Sequence, residues 1–274
     1  MALAPRLLPP SGRIFQRGAD LPDNRVTGIE GGVQPKLLTI KPPLIVGRNM
    51  MFLSAFKEQG LLDPLHKHDD HESIGFQLKG RQRIVIGDEE FVSEPGDAWY
   101  HGPGVVHMSE ALEDTIQLEM KSPPMRTWGD VEPSGPLDPG AWVRPADPSG
   151  RWMPRYGSVF TRQAGVPVER IASVEGVAES GLTVTPLMVG HDMLLMAAFK
   201  PKGMIDPLHR HDDHESIGYC ISGRLLLRIG GEEHVAGPGD AWYHGYGVEH
   251  WSEALEDVVQ LEVKSPPMKT WISH

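Results

Sequence analysis

The chain has one cysteine, Cys220, among 274 residues. No intramolecular disulfide and no cysteine-based zinc site can form, and nothing points to an oxidising compartment, so a cytoplasmic location is expected. No stretch approaches the roughly 18 apolar residues of a membrane span. Residues 1–13 carry prolines at 5, 9 and 10 and lack a continuous apolar run, which speaks against a signal peptide. Positive charge is also scarce. Lys and Arg number 26 against 37 Asp and Glu, a net charge of −11 with a pI near 5.6, so neither nucleic acid nor an anionic membrane surface is an expected partner. Amphipathic helical stretches are missing, and 31 glycines with 25 prolines are too many for a helical protein. Absent too are a GxSxG elbow, a phosphate-cradling GxxxxGK[ST] and a GxGxxG leading into a helix.

What is present is a duplication. Leu44–Trp128 aligns without a gap on Leu187–Trp271 at an offset of 143, with 54 of 85 positions identical. Upstream the offset becomes 145, where Gly12, Phe15, Arg17, Pro22, Arg25 and Glu30 meet Gly157, Phe160, Arg162, Pro167, Arg170 and Glu175. The reading is two domains, 12–128 and 157–274, joined by a Pro/Gly-rich linker over 129–156. Runs such as MMFLSAF, SIGFQLKG, RQRIVIG and TIQLEMK are of strand length and are separated by glycine turns, so each copy reads as a compact antiparallel β domain. The segment DDHE, 69–72, reads as a solvated loop, and SEALED, 109–114, as a hairpin.

Ten of the 13 histidines form five repeat pairs: His66/His209, His68/His211, His71/His214, His101/His244 and His107/His250. His66 and His68 are two apart, so on a strand both rings project from one face. His107 follows a PGD turn about 40 residues later. Two rings from one strand and a third from a partner strand make a facial set suited to a divalent transition metal. The same set recurs as His209, His211 and His250.

These residues resemble the two motifs of the cupin superfamily. Gly60, His66, His68 and Gly80 match the first motif, as do Gly203, His209, His211 and Gly223. Pro95, Gly96, Asp97, Gly104 and His107 match the second, as do Pro238, Gly239, Asp240, Gly247 and His250. The resemblance implies a bicupin: an all-β chain of two tandem jelly-roll β-barrels, each with a metal inside. The glutamate of the first motif departs from the pattern. Its usual place, six before the glycine, holds Ser73 and Ser216, while Glu72 and Glu215 sit one residue earlier and His71 and His214 two before the serines. A one-residue shift reverses strand facing, so the fourth ligand is His71, Glu72 or water, and likewise His214, Glu215 or water in the second copy. His101 and His244 stand where the family usually carries an apolar residue, and are read either as catalytic bases or substrate contacts or as structural hydrogen bonders.

A His-rich site with open positions suits Fe(II), with Mn(II), Ni(II) or Zn(II) as further options, up to one ion per barrel. The functional expectation is a metal-dependent bicupin acting on a small-molecule substrate: an Fe(II) dioxygenase-type oxidoreductase on a small organic acid or aromatic compound. The alternatives are an isomerase, lyase or decarboxylase, or a non-catalytic cupin that binds a small ligand. The strand MMFLSAF, repeated as MLLMAAF, is apolar on both faces and so should be covered on both. The two repeats are therefore expected to form an intramolecular pseudo-dimer, with a homodimer of chains as a further option.

Overall fold

A computed structural model describes residues 5–29, 32–33, 36–129, 131, 135, 142, 144, 146–178 and 181–274. Among these the helical elements are short 3-10 turns, as at Gly18–Asp20 and Gln163–Gly165, and the rest of the regular structure is antiparallel strand. Each repeat is built from one large and one four-stranded sheet, a jelly roll of two facing sheets that remain separate ladders. In the first repeat the large sheet contains Met51–Lys57, Thr115–Ser122, Glu72–Lys79 and Ala98–His101 as neighbours. The small one runs Glu89–Ser93, Gln82–Ile86, His107–Ala111, Leu62–His66. The second repeat copies this order with Leu194–Lys200, Val258–Ser265, Glu215–Ser222 and Ala241–His244 against Glu232–Ala236, Leu225–Ile229, His250–Ala254 and Ile205–His209. The SEALED segment is not a hairpin: the strand before it lies in the small sheet and the one after it in the large sheet, so it turns a corner between them.

The expected pseudo-dimer is present, and its cause is the alternation of the large-sheet strands. Phe52, Ile74, Phe76, Ala98, Tyr100, Leu118 and Met120 point away from their own jelly roll. They form one buried cluster with Leu195, Ile217, Tyr219, Ala241, Leu261 and Val263 of the other repeat. Met51, Leu53 and Ala55, the alternate residues of the MMFLSAF strand, face their own domain, so both faces of that strand are covered. The edge strands are exchanged as well. Phe15–Gln16 pairs with Ala241–Trp242 of the second repeat, and Phe160–Thr161 pairs with Ala98–Trp99 of the first. The aspartate of each PGD turn fixes the exchanged segment: Asp240 accepts the Gly18 N–H at 3.1 Å, and Asp97 accepts the Gln163 N–H at 3.3 Å.

The duplicated unit reaches further upstream than Gly12 and Gly157. Leu7 bridges Met125 as Trp152 bridges Met268, and the Arg6 carbonyl accepts the Arg126 N–H as that of Arg151 accepts the Lys269 N–H. Arg151 to Pro154, inside the expected linker, thus repeats Arg6 to Pro9 at the offset of 145.

Candidate metal centres and the cupin match

The large sheet positions the site through the same alternation that buries its apolar face against the other repeat. The inward positions then include a polar set: Ser73 and Gln77, Gln117, Glu119 and Lys121, His101, and Lys57 at the end of the Met51–Lys57 row. Ser73 pairs across the ladder with His101 and Lys121, which locks this facing. Opposite, the small sheet brings His66 beside His107 in register, and His209 beside His250.

His66, His68 and His107 offer ring nitrogens that all lie within 4.8 Å of one another, and His209, His211 and His250 do the same. Their tautomers follow from their neighbours. A carbonyl oxygen only accepts, so the Nδ1–H of His66 donates to the Pro64 carbonyl at 2.7 Å and that of His107 to the Val105 carbonyl at 2.9 Å. His209 and His250 repeat this with Pro207 and Val248, at 2.7 and 2.9 Å. Each of these four rings keeps its Nε2 lone pair for another partner. Burial, followed by the neighbouring His66, pushes His107 down to about 3; burial followed by His209 pushes His250 down to about 4. Burial also lowers His68 and His211. Imidazole lone pairs that converge have no proton to share between them, and a divalent cation is the partner that satisfies them all. The donor set therefore fits a metal.

His101 and His244 line the same cavities. Each stacks on a ligand candidate, His101 on His107 at 3.9 Å between centroids and His244 on His250 at 3.7 Å. Burial holds both imidazoles neutral, and the Nε2 of His244 is buried without a hydrogen-bond partner.

The structure places Glu72 and Glu215 elsewhere than at a metal. Glu72 lies at the junction of the repeats, where its carboxylate accepts the backbone N–H groups of His191 (2.7 Å) and Asp192 (2.9 Å) and the hydroxyl of Tyr100. Glu215 accepts those of Arg48 (2.9 Å) and Asn49 (2.7 Å) and the hydroxyl of Tyr243 (2.6 Å). The cause is strand parity: the pairing with residues 117–122 runs unbroken from Gln77 to Glu72, the register shift lying beyond at Lys79, so the residue before inward Ser73 faces outward. The two carboxylates are reciprocal latches between the repeats. Burial, with Asp192 beside it, pushes Glu72 up to about 7.

His71 and His214 are also outside the three-imidazole groups, and they do not line the cavities. The Nδ1–H of His71 donates to Asp70 at 2.7 Å, and Arg6 holds that same carboxylate at 2.8 Å. His214 bonds Asp213 at 2.8 Å, with Arg151 3.6 Å from its carboxylate. The Nε2 of each is buried without a hydrogen-bond partner. The DDHE segment is thus not a solvated loop, since His71 and Glu72 are fully buried in it.

Groups that the sequence reading passed over complete the cavity walls. Lys57 donates to Ser109 at 2.7 Å, and Lys121 donates to Thr127 at 2.6 Å and lies 3.3 Å from Glu119. Lys200, with Ser252 at 2.8 Å and Asp206 at 3.1 Å, and Lys264, with Thr270 and Glu262, repeat the pattern. Burial lowers the Lys57 pKa. The signal was available: Gln-x-Glu-x-Lys occurs at 117–121 and again at 260–264 with unchanged spacing, which puts three polar groups on one strand face. Each cavity has a volume of about 50 Å³.

A family profile described as the cupin domain matches residues 52–120 and again 195–264. The chain belongs to the cupin family. It is a bicupin, and solved structures with the same fold include AerE from Microcystis aeruginosa, 15% identical over 84% of this chain and 93% of that one, with a TM-score of 0.61. The oxalate decarboxylase of Lactobacillus farciminis, in a formate complex, is 14% identical over 97% of this chain and 90% of that one, with a TM-score of 0.67. The Bacillus subtilis oxalate decarboxylase at pH 4.6 is 14% identical over all of this chain and 79% of that one, with a TM-score of 0.62. At such identities these likenesses speak for the fold alone. A sequence search of curated proteins gives no match. No helix among the described residues is long and apolar enough to cross a membrane.

Proposed function

We propose that this bicupin is a metal-dependent enzyme with two equivalent centres, His66, His68 and His107 in one repeat and His209, His211 and His250 in the other, and that its substrate is a small carboxylic acid of two to four carbons. The observation that carries this reading is the composition of the cavity: three imidazoles with converging nitrogens stand against two buried lysines, Lys57 and Lys121, and two carboxylates, Asp63 and Glu119. The two ammonium groups and the two carboxylates cancel, so a divalent cation on such a triad keeps its full charge uncompensated. An anion is the ligand that neutralises it. Size restricts that anion. About 50 Å³ of cavity has room for roughly three to five water-sized groups at about 10–15 Å³ each, so a two-carbon acid nearly fills it and a four-carbon acid must reach out of it. The aromatic branch of the expectation therefore loses to the small acid.

A bound Mn(II) or Fe(II) would supply electrophilic polarisation of the substrate oxygens. The chain's own residues do the rest. Lys57 and Lys200, lining their cavities, are placed to bind the second carboxylate or the carbonyl of the acid. The lowered pKa of Lys57 lets it give up a proton to a carbanionic product. His101 and His244 present neutral rings that orient the substrate against the triad. Decarboxylation fits these parts, and the oxalate decarboxylases among the structural neighbours agree with it. Dioxygenation of the same acid is the second reading, favoured by the positions that a three-nitrogen facial set leaves open.

The test is anaerobic loading of metal-stripped protein with Mn(II), Fe(II), Co(II) or Ni(II), followed by a screen of two- to four-carbon mono- and dicarboxylic acids for CO2 release and O2 uptake. Release of CO2 without stoichiometric O2 uptake is expected. Stoichiometric O2 uptake selects the second reading, and failure to retain any metal refutes both.

A further inference from the structure

Glu175 is the one non-glycine residue with positive φ among the described residues. It is the first of two residues, Glu175-Gly176, that close the hairpin between Glu169–Val174 and Val177–Ala178, where Val174 pairs with Val177. Both loop residues are left-handed, at φ 47° and 79°. This is the turn for which Asn-Gly is the favoured pair, because a side chain in that region costs roughly 1–2 kcal/mol unless it is small and polar. A glutamate here works against the local preference of its own turn. Such conflicts mark positions held for another reason.

The reason is visible in its contacts. One carboxylate oxygen of Glu175 accepts from Nδ1–H of His211 at 3.3 Å and from the Arg151 guanidinium at 2.5 Å. The other two imidazoles of this centre donate their Nδ1–H to neutral carbonyls two residues upstream in their own chain segments. His211 donates to an anionic side chain brought from a distant hairpin and braced by Arg151 at the upstream end of the second repeat, whereas Asp206 stands 3.6 Å from the Nδ1 of His209, which bonds a carbonyl instead. The sequence carries the same pair at Glu30-Gly31, which lie outside the described residues.

We propose that Glu175 is the positioning residue of the metal ligand His211. Its carboxylate keeps the proton on Nδ1 and leaves the Nε2 lone pair to the centre, and its charge makes that imidazole a stronger donor than a carbonyl partner would. Arg151 fixes the carboxylate in this pose. The inference rests on the metal-binding reading above. Glu175, His211 and His214 also bring donor atoms within 4.8 Å of one another, but a guanidinium on the same carboxylate oxygen takes the place that a second cation would need.

The experiment uses the full chain with His107→Ala, which leaves the second centre as the one to be read. Co(II) affinity is measured by chelator competition, with the visible Co(II) spectrum and the thermal midpoint recorded alongside. Glu175→Asn suits the turn but is too short to reach His211. The midpoint should hold or rise while Co(II) binds about tenfold to a hundredfold more weakly and its spectrum shifts. Glu175→Gln keeps an acceptor without the charge and should fall between. Unchanged affinity in Glu175→Asn overturns the inference alone, as does a loss of affinity that merely follows a fall in midpoint, or a second Co(II) per chain that disappears with Glu175. Absence of Co(II) binding by the His107→Ala parent overturns the metal reading and this inference with it.

Discussion

Replacing Glu72 by alanine separates the latch seen in the structure from the metal ligand that its place in the sequence suggests. At pH 8 the carboxyl, pushed up to about 7, is ionised in the folded chain. The buried carboxylate then accepts two backbone N–H bonds and one tyrosine hydroxyl. Removing the carboxylate leaves two backbone N–H groups and one hydroxyl without their acceptor, at about 1 kcal/mol each. That is a loss of about 3 kcal/mol for Glu72→Ala. At roughly 2 °C per kcal/mol for a chain of this size, that is a fall of about 6 °C in calorimetry. Glu215→Ala should cost more, because neutral Asn49 stands where Asp192 opposes the first latch. Metal content by elemental analysis should stay at two ions per chain in both variants. An unchanged midpoint together with loss of one ion would refute the reasoning and return Glu72 to the metal.

Three further outcomes follow from the same geometry. His107→Ala and His250→Ala should each halve the metal content, and the double variant should abolish it; full occupancy in either single variant would dissolve the assigned triads. Lys57→Met combined with Lys200→Met should raise KM for the acid at least tenfold while both ions are kept, and an unchanged KM would remove the lysines from substrate binding. In the metal-free protein two opposing pH effects meet. His107 and His250 are lowered, so the unfolded chain takes up protons first, and stability falls as pH drops from about 6.5 towards 4 and 3. Glu72 is raised, so its contribution is complete below about 4.5 and is lost as pH rises through 7. Glu72→Gln should therefore flatten the slope between about pH 5 and 7 and leave the acid limb in place, as read by urea denaturation; a change confined to the acid limb would contradict the assignment.

The parts of the site that were legible in the sequence are those fixed by spacing on a single strand or by repetition. His66 and His68 are two apart and meet at one centre, although the strand ends at His66 and His68 follows it, and the gapless copy at His209 and His211 doubles the signal. The pseudo-dimer was legible for the same reason, from a strand apolar on both faces. The upstream limit was less so: Arg6 to Pro9 and Arg151 to Pro154 share only their first and last residues, too little against the proline-rich background until the paired bridges to Met125 and Met268 show their equivalence. Glu72 was ambiguous because a single bulge would have reversed it. Only the ladder, with Ser73 opposite His101 and Lys121, decides that parity.

The apolar face of a strand is usually the inner one. On the strands Thr115–Ser122 and Glu72–Lys79 it is the reverse. Leu118 and Met120 face the other repeat, while Gln117, Glu119 and Lys121 face the cavity, and the duplication makes this inversion affordable. An outward apolar face on an isolated jelly roll would be a liability in water. Covered by its own copy, it supplies the core that holds the two repeats together, and the inner face is released from packing to carry lysines, glutamate and histidines. The latches fit this division of labour. Each glutamate sits one residue before an inward serine, so the strand that ties one repeat to the hairpin of the other also carries the wall of its own cavity. A variant that loosens the junction should therefore disturb the cavity through Ser73 and Ser216, whereas loss of metal from the triads, which stand on the small sheets and the segments that follow His66 and His209, should leave the junction intact.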